Sequence, residues 1–171
     1  MATFITSKAV GETFGITIET TTGYWKYNHD GTDFGPYSTN LSPSLEVLNA
    51  NGEFTLISCD VDGNVSGDIT SLDLSSIQLT SLDITGLNVL QILYVNNNLL
   101  TSSVNDSLLA KLAANELAND WNSGQFVTTG GRTAAGTSDY DYLIANGWYI
   151  DGANLPVTGT GKLRVKGVGQ L

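Results

Sequence analysis

The chain has one histidine, His29, beside Asp30 in the run Asn28-His29-Asp30-Gly31. A Ser-His-Asp set can be assembled from it on paper, but no nucleophile elbow or comparable motif accompanies it. His29 therefore reads as an exposed turn residue. Asp60, Asp62 and Asn64 bring three oxygen side chains together, a donor set that a hard cation such as calcium could use. Gly63 falls two positions early for an EF-hand and no glutamate closes the loop, so the same residues are explained as turn formers. Gly130-Gly131-Arg132 lacks the lysine and spacing of a phosphate loop. Tyr24, Trp25 and Tyr27 could stack on sugar rings. Alternation, however, puts Tyr24 with Lys26 on one face and Trp25 with Tyr27 on the other, and one of these faces is core. Cys59 is the single cysteine and sits on an apolar strand position, where it reads as a small buried hydrophobe. None of these groups names a reaction. The chain is expected to be no enzyme and to use no cofactor and no metal.

The elements that would position a binding surface are clearer. Ile69, Leu72, Leu74, Ile77 and Leu79 recur 21 positions later as Leu90, Leu93, Val95, Asn98 and Leu100. Leu82, Ile84 and Leu87 supply apolar residues between the copies. One such unit cannot bury its leucines alone, so the spacing predicts coils that stack, each giving one strand to a parallel ladder. Phe54, Ile57 and Cys59 fit an abbreviated first unit, and Trp148, Ile150, Ala153 and Leu155 a last one. On that ladder the residues between the buried leucines face outward: Ser58, Asp73, Tyr94 and Tyr149, with Asn96 next in line. Tyrosine, aspartate and small polar groups suit contact with a protein or a glycan.

Before the repeat, Phe14, Ile16 and Ile18 alternate with polar residues as in a half-buried strand, and Thr22-Gly23 predicts a hairpin into a strand over Tyr24–Tyr27. Strands are also expected around 45–48 and 54–59. After Leu100 the period changes: Asp106 or Ser107 would cap a helix carrying Leu108, Leu109, Leu112, Ala113, Leu117 and Trp121 on one face. Ser138 with Asp141 resembles a capping box for a short helix from Asp139 to Asn146, stopped at Gly147. The expected fold is β-rich α+β: an N-terminal β-region (1–50), then a short leucine-rich-repeat solenoid with parallel strands and two short helices (51–157), then a basic tail (158–171).

Thr70-Ser71-Leu72-Asp73-Leu74-Ser75 and Thr80-Ser81-Leu82-Asp83-Ile84 resemble the short L-T-S-L-D-L-S units of bacterial leucine-rich-repeat surface proteins. The resemblance is strong over 69–100 and weaker over 54–155. It implies a curved solenoid with a parallel sheet on its concave face and a role in adhesion or protein binding. Ile77 departs from it at the position of the ladder asparagine. The opening stretch from Gly11 to Tyr27 resembles segments of phage virion and tail-associated proteins. Such proteins are assembled in the host and released by lysis, which suits an N-terminus without the basic start and long apolar run of a signal peptide.

Charge narrows the partners. At -10 overall the chain would be repelled by nucleic-acid phosphates, and no segment has the apolar length of a membrane span. All 17 carboxylates precede the last ten residues, which hold Lys162, Arg164 and Lys166. Leu163 and Val165 alternate with these cations, and Lys162, Leu163, Arg164, Val165 and Lys166 are expected to form an assembly segment that adds as a strand to an acidic partner. The expected function is a non-enzymatic structural virion protein, such as a capsid decoration, head fibre or tail-associated component, with an interaction domain. The alternative is a cell-surface adhesion or glycan- or protein-recognition module. Expected partners are other virion subunits, further copies of the chain, and a host-surface glycan or protein.

Overall fold

The computed structural model describes residues 1–39 and 42–152. In chain order its elements are β1 (Ala2–Thr6), β2 (Thr13–Gly15), β3 (Thr17–Thr20), β4 (Tyr24–His29), β5 (Thr32–Ser38), β6 (Ser44–Glu46) and β7 (Glu53–Cys59). These are followed by β8 (Ile69–Asp73), β9 (Leu79–Asp83), β10 (Ile92–Tyr94), α1 (Ser102–Asn119), β11 (Gly124–Val127), α2 (Thr137–Ala145) and β12 (Trp148–Asp151). One five-stranded sheet runs β5-β4-β7-β1-β9, a second runs β12-β11-β10-β8-β3, and β2 pairs with β6.

The expected solenoid behind a separate N-terminal β-region does not form. Among the described residues the fold is mostly β, with 12 strands in three sheets, and two of those sheets are antiparallel throughout. The cause lies in what covers the repeat. Strand β1 pairs antiparallel with β9, and β3 pairs antiparallel with β8. N-terminal strands thus take the hydrogen-bonding edges that further coils would need. Only within the second sheet do β8, β10, β11 and β12 run parallel, with Leu72 opposite Leu93 and Leu93 opposite Phe126.

The two T-S-L-D segments behave alike although they join different sheets. Phe4 lies opposite Leu82 and Thr6 opposite Leu79, while Ile18 lies opposite Leu72 and Thr20 opposite Ile69. Each ladder shifts register at the same place, between Ile5 and Thr6 in one and between Glu19 and Thr20 in the other. The extra residue breaks the two-residue period, which is why Ile69 and Leu72, three apart, are both buried. Asp73 and Asp83 then accept hydrogen bonds from the backbone of Ser75 (2.9 Å) and Thr85 (2.8 Å), turning the chain after each strand.

One apolar cluster joins the layers. It takes Phe4, Trp25, Tyr27, Phe54 and Leu82 from the first sheet, Ile18, Leu72, Leu93, Phe126 and Trp148 from the second, and Leu108, Leu109, Leu112 and Leu143 from the helices. Helix α1 starts earlier than Asp106: Thr101 is its N-cap and accepts from the Val104 N–H. Asp106 instead holds the loop after β11, accepting from the Thr133 N–H at 3.0 Å and from the Thr133 hydroxyl. Helix α2 has Gly136 at its N-cap and no side-chain cap, so the Ser138–Asp141 capping box does not form. The expected hairpin of the first strands is also replaced, since β3 pairs with β8 while β4 lies between β5 and β7.

Candidate functional site

The outward surface of the second sheet is built by its register. One row crosses all five strands as Glu19, Ser71, Ile92, Gln125 and Tyr149, and the next as Thr17, Asp73, Tyr94, Val127 and Asp151. Their neighbours along each strand, Ile18, Leu72, Leu93, Phe126 and Trp148, are buried, so the period of two turns these rows away from the core. The rows carry three carboxylates and no cation. Tyr94 donates its hydroxyl proton to Gln125 Oε1, joining adjacent strands across the face.

Two shallow clefts flank these rows. One, of about 230 Å³, is lined by Gly15, Ile16, Thr17, Ser42, Asp73 and Ser75. The other, of about 350 Å³, lies between β10, β11 and β12 and includes Gln91, Gln125, Gly147 and Tyr149. Tyr149 is 59% exposed. Gly124 lies over the Trp148 indole, where an added Cβ would stand 2.5 Å from the ring, so β11 and β12 approach closely only because no side chain intervenes. The Trp148 Nε1–H in turn donates to Glu116 of α1 at 2.8 Å, a buried bond that ties this end of the sheet to the helix.

Of the expected surface residues, Asp73, Tyr94 and Tyr149 lie on this one face. Asn96 follows β10 and accepts from the Ser75 hydroxyl at 2.8 Å, so its side chain bridges two loops beside the face. Ser58 does not belong. It lies on β7 in the other sheet and is 4% exposed, with its hydroxyl 3.3 Å from that of Thr22. The unit starting at Phe54 had suggested otherwise, but β7 is paired on both sides, by β4 and β1, and never joins β8. The assembly segment Lys162, Leu163, Arg164, Val165 and Lys166 lies outside the described residues, as do Ala153 and Leu155. Gln91, Gln125 and Val127 were not anticipated. The only signal for β11 was Phe126 between polar neighbours in a glycine-rich stretch.

The other chemistry-bearing groups are occupied by structure. His29 is not an exposed turn residue: it is 1% exposed at the end of β4 and stacks on Phe54 at 3.9 Å. Its Nε2 accepts from the Leu48 N–H at 2.8 Å, so the proton sits on Nδ1, which donates to the Glu53 carbonyl at 2.6 Å. Both ring nitrogens are thus engaged by main chain. Asp60 accepts from the side-chain amide of Asn64 (3.1 Å) and from the N–H groups of Asn64 (2.9 Å) and Asp62 (3.0 Å), and these bonds, the Asn64 side chain first, hold its carboxyl below the usual carboxylate value. Trp25 and Tyr27 are core, with Tyr24 and Lys26 on the other face of β4. Burial raises the Cys59 thiol, which makes it a poor nucleophile. Among the described residues no group of three or more His, Cys, Asp or Glu converges as metal ligands, and no helix is long and apolar enough to cross a membrane.

No protein family, curated protein or solved structure matches this chain.

Proposed function

We propose that the protein is a non-enzymatic recognition module that binds a protein or glycan ligand through the open face of its second sheet. The observation that carries this reading is the pair of outward rows, where Tyr94, Tyr149, Ile92 and Val127 stand among Gln125, Ser71 and Thr17 on five hydrogen-bonded strands. Tyrosine supplies rigid amphipathic area at small entropic cost, and amide and hydroxyl groups supply orientation. Strands hold these groups in fixed register, so little ordering is left to the binding step. The occupied state of His29 supports a role without acid–base chemistry.

We place the module in a virion, as a decoration, head-fibre or tail-associated component, on the resemblance of residues 11–27 to such proteins. Two measurements test the two parts. Panels of neutral and acidic oligosaccharides and a displayed peptide library, screened against the immobilised chain, should yield a ligand whose binding falls at least about tenfold in Tyr94→Ala/Tyr149→Ala. Ligands indifferent to that double variant, or none at all, overturn the binding face. Antibody labelling of particles purified from the source should decorate them. Unlabelled particles overturn the virion setting and leave the surface-recognition reading.

A further inference from the structure

The cleft between β10, β11 and β12 holds about 350 Å³, at the small end of the range for ligand sites. Its lining is uncharged: Gln91, Ile92, Ser123, Gln125 and Tyr149, together with Gly124 and Gly147. Both amide side chains in it are held in one orientation. The Tyr94 hydroxyl donates to Gln125 Oε1, which leaves the Nε2 hydrogens of Gln125 for a ligand. Gln91 Nε2 donates to the carbonyl (2.8 Å) and the hydroxyl (3.2 Å) of Ser123, which leaves Gln91 Oε1 as an acceptor. Neither Gln125 Nε2 nor Gln91 Oε1 has a hydrogen-bond partner among the described residues. On the next strand, opposite Gln125, stands Tyr149, 59% exposed.

Resting on the recognition role given to this face, we propose that the cleft is the subsite of a neutral saccharide, a hexose or N-acetylhexosamine unit of a glycan. A pyranose has an apolar C–H face, which stacks on a tyrosine ring, and a rim of hydroxyls. Each hydroxyl both donates and accepts, so one accepts from Gln125 Nε2 while another donates to Gln91 Oε1. The lining offers no counter-charge to a lysine, arginine or carboxylate side chain of a peptide. Glu19, Asp73 and Asp151 on the same face repel uronic and sialic acids, which selects for neutral sugars. Because the protein's own bonds orient both amides beforehand, little order is lost when the sugar arrives.

The test uses the full-length chain on a glycan array that carries neutral hexose and N-acetylhexosamine oligosaccharides beside sialylated and uronic-acid ones. Neutral members should bind. The strongest of them is then titrated by calorimetry at a temperature where near-UV circular dichroism shows each variant folded. Its affinity should fall at least about tenfold in Tyr149→Ala and hold in Tyr149→Phe, which keeps the ring. Gln125→Glu should cause a similar loss, because its carboxylate still accepts from Tyr94 but no longer donates to the sugar. Binding confined to acidic glycans, binding to no glycan, or a neutral ligand whose affinity survives Gln125→Glu overturns the neutral-sugar assignment. In each of these cases a displayed peptide that loses affinity in Tyr94→Ala/Tyr149→Ala would leave the recognition role of the face standing. A glycan indifferent to Gln125→Glu and to that double variant defeats both.

Discussion

At His29 an imidazole does the work of a strand connection. The Leu48 N–H and the Glu53 carbonyl both meet it, so the ring links the end of β4 to the chain on either side of the 49–52 turn. His29→Ala removes both bonds and the stack on Phe54, and should cost about 2–4 kcal/mol in urea unfolding. An unchanged midpoint would show that water replaces the ring without loss. Asn98 is used as heavily. Its Oδ1 accepts from the N–H groups of Ile77 (3.1 Å) and Leu79 (2.9 Å), and its Nδ2 donates to the carbonyls of Leu74 (2.7 Å) and Val95 (3.0 Å). The turn between β8 and β9, which has Ile77 where the repeat's second copy has an asparagine, is thus held by that asparagine, Asn98. Asn98→Ala should cost about 2–4 kcal/mol and Asn96→Ala, which loses one half-buried side-chain bond, clearly less; equal losses would refute this division. Tyr27 offers a pH readout. Burial, with Tyr37 next to it, pushes its hydroxyl from 10.0 up to about 12. A raised folded pKa means stability is fully present below the unfolded value and is lost as pH rises through this window. Melting temperature should fall between pH 10 and 12, and Tyr27→Phe should flatten that limb.

Among the elements, β10 is the shortest strand of the second sheet's interior and carries much of its packing. Leu93 lies opposite Leu72 on one side and Phe126 on the other, fully buried. Leu93→Ala should cost about 2–5 kcal/mol, with the cavity left between three strands, whereas Gln125→Ala on the open side should cost little. Comparable losses in thermal melts would mean that the outward rows are core. This region is legible in the sequence because four apolar positions, with Ile77 and Asn98 at a fifth, recur at one offset, and a repeat in sequence becomes a repeat in space when neighbours pair in register. The same signal misled about the whole. Nothing in Ala2–Thr6 or Thr17–Thr20 announces that these strands bind the repeat's own segments antiparallel, because partner choice is a long-range property. Ser58 was misplaced for that reason, and His29 was misjudged because its turn-forming neighbours Asp30 and Gly31 describe the local chain and not the Phe54 packed against it. Asp106 shows a similar limit: good capping chemistry was spent on a loop 27 residues away, which no window of sequence reveals.

Over the whole molecule the balance of charge sets how stability answers to salt and acid. With 17 carboxylates against 7 Lys and Arg, the folded chain at neutral pH concentrates negative charge that the unfolded chain spreads out. Adding salt screens that repulsion, so melting temperature at pH 7 should rise as ionic strength goes from about 10 to 150 mM. Acid acts in the other direction through particular groups. Asp33 is held low by Asn28 and Lys26, Asp60 by Asn64, and Asp83 by Thr85. A depressed folded pKa contributes stability that is present above the unfolded value and is lost as pH falls through the folded one. In that window the unfolded chain binds more protons, so stability must rise with pH there. The loss should therefore begin near the ordinary aspartate value of 3.8 and deepen below it. Asp33→Asn/Asp60→Asn/Asp83→Asn should lower the melting temperature at pH 7 yet weaken its fall below pH 3.8, since the three groups no longer take up protons on unfolding. Calorimetric scans from pH 2 to 7 separate the two contributions. A triple variant with the same acid limb as the unsubstituted chain would place the acid sensitivity in other carboxylates, and would deny these three turns their part in it.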